Sequence, residues 1–268
     1  MLNNFKNGKI EINDSKTFYI KFGTGKKNLI IIPGVGDGFK TVKGFALPFS
    51  VMYKSFTKDY TVYVFSRRSN LPKKFSTEQM ANDIIDYMDY LKIDVADAIG
   101  VSQGGMIAEY LAINAPNRIK KLVLVVTCAR PNKILKENSR IWIEMANKKD
   151  FKSIMLDTAD KSYVGKYLEK NKKAIKVLSL FYKNATYDRF ITEVESCLNH
   201  NAFDKLNKIK CKTLIIGAEK DKMLGIEGSK ELNNNIKNSE LYIYKDYSHG
   251  VYEQAKDFND RVLEFLRK

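Results

Sequence analysis

Residues 98–112 read AIGVSQGGMIAEYLA, and no other stretch constrains the fold as tightly. A short apolar run leads into Gly100-Val101-Ser102-Gln103-Gly104, and a helical pattern follows at once. A strand that turns this sharply into a helix holds the central serine in a strained backbone conformation. Side chains two positions to either side would collide, so both glycines are required. The turn also lifts the Ser102 hydroxyl to a helix N-terminus. There the macrodipole and unpaired N–H groups favour developing negative charge.

The rest of the chain repeats this strand-to-helix rhythm. Leu29 to Ile32, Thr61 to Phe65, Leu122 to Val126, Thr213 to Ile216 and Leu241 to Tyr244 are short apolar runs, as expected of strands buried on both faces. Lys9 to Ile12 and Thr17 to Phe22 alternate around NDSK and predict a hairpin. Between the runs lie helical patterns. One opens with a capping box at Ser76 and Gln79 and places Met80, Ile84, Met88 and Leu91 on one face. Another near the C-terminus aligns Phe258, Val262, Phe265 and Leu266. Strands alternating with helices predict an α/β fold, a mostly parallel sheet with helices on both faces.

Residues 129–207 break the rhythm. They are too many for a loop in a compact domain, and ILKENSRIWIEMANKKDF and AIKVLSLFYKNATYDRFITEVESCL have helical spacing. The reading is a core of residues 1–128 and 208–268 with a helical insertion, a lid, between two core strands. The insertion leaves the strand ending at Cys128 and returns to the one beginning near Cys211, and both of these strands end on the active-site edge of a parallel sheet. Some of its large apolar residues, Trp142, Met145, Phe181 and Tyr182, are therefore expected to face Ser102.

A serine hydroxyl needs a base to become a nucleophile. The chain has only two histidines. His249, in YSHG, follows a terminal strand where a loop can overhang the sheet. His200 ends the insertion and reads as a surface residue. The base in turn needs an acid to fix its tautomer. Asp221 in TLIIGAEKDKMLG lies past the end of a strand, with Glu219 and Asp246 as competitors. Asp221 gives the chain order serine, acid, histidine.

Taken together these segments resemble the α/β-hydrolase family over nearly the whole chain outside the insertion. GVSQGGMIAEYLAINAPNRIKKLVLV is similar to that family's nucleophile strand, helix and following strand, LIIGAEKDKM to its acid loop, and YSHG to its histidine loop. The insertion falls where the family carries its cap. The resemblance implies that Ser102, Asp221 and His249 form a catalytic triad. It also implies that the backbone N–H groups of Val35 and Gln103 form an oxyanion hole, although Pro33 stands where the family often has histidine. The implied activity is a cofactor-free, carboxylesterase-like serine hydrolase acting on a small-molecule acyl substrate. Acyl transfer, C–C bond hydrolysis, lyase chemistry and ligand binding without turnover are the alternatives on this fold.

The remaining features bear on what is excluded. The glycine loop in IIIPGVGDGFKT invites a phosphate reading. Phe39, however, occupies the position where both the P-loop and the dinucleotide fingerprint need glycine. The net charge is +15, but the excess is mostly lysine spread along the chain, so specific nucleic-acid binding is not expected. Arg67 and Arg68 in SRRSNLP could bind an anionic substrate group or serve structure alone. Three widely spaced cysteines and two distant histidines argue against a disulfide framework or a metal site. No secretory leader or membrane span is seen, which points to the cytoplasm.

Overall fold

The computed structural model describes residues 4–12, 15–178 and 187–268. Within these, one sheet contains β1 (Phe5–Ile12), β2 (Ser15–Phe22), β3 (Lys27–Ile32), β4 (Tyr60–Phe65), β5 (Ala96–Val101), β6 (Ile119–Val125), β7 (Lys212–Ala218) and β8 (Ser239–Tyr244). Their spatial order is β1-β2-β4-β3-β5-β6-β7-β8. The β1–β2 hairpin is antiparallel, and β2 meets β4 antiparallel. All other neighbours are parallel. The helices are α1 (Ala46–Met52), α2 (Thr77–Tyr90), α3 (Gln103–Asn114), α4 (Lys133–Asn147), α5 (Phe151–Ser162), α6 (Gly165–Leu178), α7 (Tyr187–Leu198), α8 (Glu227–Asn235), α9 (Val251–Gln254) and α10 (Phe258–Arg267).

The apolar runs are buried on both sides because side chains alternate across a strand. Ile30 and Ile32 join a core layer with Met80, Ile84 and Met88 of α2 and Leu111 of α3. Leu29 and Ile31 point the other way, into a second layer with Phe258, Val262 and Leu266 of α10. The capping box forms as read: Ser76 accepts from the Gln79 amide, and the Gln79 side chain accepts from the Ser76 amide.

Strand order decides where a site can form. From β3 the chain crosses to β4 on one side, whereas β5 lies on the other side of β3. The loops leaving β3 and β5 therefore part company and open a crevice at the carboxyl edge of the sheet. Ile32 is in register with Gly100, so the glycine loop and the serine turn start at the same height.

Four described helices, α4 to α7, lie between β6 and β7. With Met106, Cys128, Met223 and Leu224, helices α4, α5 and α7 bury a third apolar cluster that includes Leu135, Trp142, Ile154, Phe190 and Val194. Of the helical pattern read over residues 174–198, the described residues place 174–178 in α6 and 187–198 in α7. Phe181 and Tyr182 lie outside the described residues.

Candidate active site

Ser102 sits at φ 55°, ψ −121°, between β5 and α3. That is left-handed territory, which a serine holds only when its surroundings fix it. The turn is pinned on both sides: the Ser102 amide donates to Val125 O (2.9 Å), and the Thr127 hydroxyl donates to Ser102 O (2.8 Å). Both flanking glycines are obligatory. A Cβ on Gly100 would stand 2.4 Å from Gly104 O, and one on Gly104 would stand 1.9 Å from Ile32 O.

His249 and Asp221 meet across the ends of β7 and β8. His249 Nδ1 lies 2.9 Å from Asp221 Oδ2, and both side chains are buried. The other carboxylate oxygen, Oδ1, accepts from the Met223 and Leu224 amides at 2.8 and 3.1 Å. Those two amides orient the carboxylate toward the imidazole. Of the competing acids, Glu219 is exposed, and Asp246 is exposed and pairs with Lys220 at 3.3 Å.

Ser102 and His249 line one cavity of about 200 Å³, with Val35, Trp142, Phe190 and Met223 among its walls. A second cavity, of about 270 Å³, adjoins it. The two share Gly34, Gly36, Tyr252 and Glu253 in their walls. Gly34 presses against the serine: a Cβ there would meet Ser102 Cβ at 3.3 Å. Val35 follows in a 3₁₀ turn, Val35–Gly38, and lines the same cavity as Ser102. Gln103 is the first residue of α3, so its amide has no acceptor within the helix.

The inserted helices touch each loop that carries these groups. Asn138 of α4 donates to Lys222 O and Met223 O in the acid loop, at 2.9 and 3.0 Å. The Ser248 hydroxyl lies 2.5 Å from Lys161 O and 2.7 Å from Lys220 O, and the Gly250 amide donates to Ser162 O (2.7 Å). Phe39, which breaks both phosphate motifs, stacks on Phe190 of α7 with ring centroids 4.0 Å apart.

Behind the glycine loop lies a buried set of charges. Arg189 of α7 pairs with Asp37 and lies 3.4 Å from Glu193, which in turn lies 4.0 Å from Arg67. Burial pushes the Glu193 carboxyl up to about 8, against the pull of Arg67 and Arg189. Removing one member of the buried Arg189–Asp37 pair would cost about 3–5 kcal/mol, because the other charge is left uncompensated. Arg68 pairs instead with Asp83 and covers the Phe75 ring. Neither arginine lines either of the two adjoining cavities, and both are taken up by contacts within the protein.

Two expectations change. His200 is a buried core residue, 1% exposed, and not a surface histidine. Its Nδ1 meets Thr77 Oγ1 of α2 at 2.9 Å and its Nε2 meets Glu109 Oε2 of α3 at 3.2 Å, in the segment that follows α7. Burial drives the imidazole down to about 3 and the Glu109 carboxyl well up, so both groups stay neutral. His200→Ala is predicted to cost about 2–4 kcal/mol of stability by orphaning Thr77 and Glu109, with kcat/KM unchanged in the folded protein. His200 binds no proton when folded, whereas the unfolded chain protonates it near 6.5. Wild type therefore loses this contribution as pH falls from about 6.5 toward about 3, and its margin over His200→Ala should narrow there in thermal melts. The second change concerns Met145. One turn beyond Trp142, it packs against the third apolar cluster and is not part of the cavity wall. The Trp142 ring does line the cavity, and its Nε1–H donates to Asp157 (2.7 Å).

The Gln103 side chain, Glu193 and Arg189 carry no sequence signal of their place beside the site. The Gln103 side chain, fully buried, accepts from Arg67 Nη2 (2.6 Å) and donates to Glu193 O (2.7 Å) and Ser196 Oγ (2.9 Å). A charged residue at helical spacing carries no mark of being buried, so only the pairing of α7 with the glycine loop exposes this set. Cys128 is buried, and burial raises its thiol far above the usual range, which removes it as a nucleophile. Among the described residues no group of three His, Cys, Asp or Glu side chains could hold a metal ion, and no helix is long and apolar enough to cross a membrane.

Comparison with known proteins gives this geometry a context. A family profile for the alpha/beta hydrolase fold matches residues 27–152. The chain is 26% identical over 190 residues to a putative carbamate hydrolase RutD of Caulobacter sp. (strain K31), covering 70% of this chain and 71% of that protein. It is 25% identical over 270 residues to the serine hydrolase BPHL of Mus musculus, covering 97% and 86%. Among solved structures, MGS-M2, an alpha/beta hydrolase enzyme from a Medee basin deep-sea metagenome library, superposes with a TM-score of 0.85 at 23% identity, over 97% of this chain and 98% of that one.

Proposed function

Because this chain carries the α/β-hydrolase fold, we propose that it is a cofactor-free serine hydrolase cleaving esters of short or medium acyl groups. The observation that carries this reading is the 2.9 Å contact between His249 Nδ1 and Asp221, made by a histidine that shares a cavity wall with Ser102. With Nδ1 committed to the carboxylate, Nε2 is left to take a proton from the Ser102 hydroxyl. The Ser102 oxygen attacks the acyl carbon, and the Val35 and Gln103 amides receive the oxyanion. His249 returns the proton to the leaving alcohol, then draws one from water to release the acyl-enzyme.

On the same reading residues 129–207 are a helical cap over a core of residues 1–128 and 208–268. Trp142 and the partly buried Met155 form the cap side of the acyl cavity. At about 200 Å³ the cavity falls below the ~300–1,000 Å³ of pockets for drug-sized ligands, in keeping with a small acyl group. Met155→Ala should shift the ratio of kcat/KM for medium over short acyl esters upward by about tenfold, with little change in melting temperature. An equal loss on all chain lengths, following a loss of melting temperature, would make the inserted helices structural only.

The test of the overall reading is turnover of a p-nitrophenyl ester series from acetate to decanoate, with a lactone and a carbamate alongside. Ester hydrolysis peaking at short or medium chains is expected. Turnover of the carbamate or lactone alone would move the assignment to that bond. No turnover of any by a folded protein would favour a binding protein.

A further inference from the structure

We propose that Arg67 is a positioning residue: it holds the two segments that donate to the oxyanion at a set distance and ties that distance to helix α7. The inference rests on the serine-hydrolase reading above. Arg67 lies two residues past the end of β4 and is almost fully buried, and it lines neither of the two adjoining cavities, so it is placed away from the substrate. Its Nη2 donates both to Pro33 O (2.5 Å) and to Gln103 Oε1 (2.6 Å). Pro33 opens the loop that carries the Val35 amide, and Gln103 carries the other amide. A single planar NH₂ group, with its two hydrogens at a fixed angle, thus spans both donor segments.

The same residue is anchored at its backbone, where the Arg67 amide donates to Asp37 Oδ2 (2.9 Å) within the glycine loop. Gln103 passes the connection on: its amide group donates to Glu193 O and Ser196 Oγ of α7. Arg189, also on α7, closes the circuit through Asp37. A displacement of α7 would therefore be felt at both oxyanion donors through Arg67, Gln103 and Asp37.

The consequence falls on the transition state and not on ground-state binding. Losing one oxyanion donor costs about 10²–10³ in kcat, and a misplacement of about 1 Å costs about 10². Arg67→Met should lower kcat by about 10² while KM moves by less than about threefold. The Ki of an alkyl trifluoromethyl ketone, which forms a tetrahedral adduct with the serine, should rise in parallel with the fall in kcat. Arg67→Lys keeps the buried charge beside Glu193 but ends one bond short of both acceptors. It should show the same pattern at about tenfold, and it serves if Arg67→Met does not fold. A variant that is folded by circular dichroism and keeps wild-type kcat, or loses through KM alone, overturns the inference. Wild-type protein labelled at Ser102 by a fluorophosphonate, with an unaffected Arg67→Met, would overturn this inference alone. Wild type neither labelled nor active would remove the hydrolase reading and this inference with it.

Discussion

Ser102→Ala is expected to lose ~10⁴-fold or more in kcat/KM on any ester the wild type cleaves, while remaining folded. The side chain contributes little to packing, since it stands partly exposed on the cavity wall. What holds the turn is backbone: the Ser102 amide on Val125 O, and the Thr127 hydroxyl on Ser102 O. Alanine keeps both contacts. Circular dichroism melts should therefore nearly superpose while esterase activity disappears. A folded Ser102→Ala protein with most of its activity would mean that the strained turn serves something other than nucleophilic attack.

The second large effect is at Asp221. Asp221→Asn should cost about 10⁴ in kcat, with Glu219→Gln near wild type. The reason lies in what each oxygen of Asp221 does. Oδ1 accepts from two amides, so an asparagine must place its oxygen there. Its NH₂ then faces His249 Nδ1, which can only accept, and the ring proton moves to Nε2. An imidazole protonated at Nε2 cannot take the serine proton. His249→Ala should be as damaging, because no other described histidine lines the cavity: His200 is occupied with Thr77 and Glu109. Inactive Glu219→Gln beside active Asp221→Asn would move the acid two residues upstream.

The features legible in the sequence were those with a local physical cause. Buried strands announced themselves as unbroken apolar runs, and α2 by its capping box. The glycines at 100 and 104 were legible because a sharp strand-to-helix turn leaves no room for side chains. Helices α1 and α5 were not read as separate elements. The first is a single short segment, and the second mixes lysine and aspartate among few apolar residues. The structural work of Arg67 and the burial of His200 were not legible either. Both depend on residues more than 30 positions away: Pro33 and Gln103 for the arginine, Thr77 and Glu109 for the histidine. Phe39 shows the limit from the other side. Its identity sufficed to reject two phosphate-binding motifs, but its reason for being there, the stack on Phe190, lies 151 positions along the chain.

The most direct measurement of the central claim is covalent labelling by an alkyl fluorophosphonate, read by intact-mass and peptide mass spectrometry. Attack by the serine oxygen on phosphorus expels fluoride and leaves one stable phosphonyl group. It needs the same nucleophile, base and oxyanion donors as ester cleavage. The account predicts one adduct per chain, located on Ser102, and its loss in both Ser102→Ala and His249→Ala. A folded wild-type protein that takes up no label, or carries it on a residue other than Ser102, would contradict it.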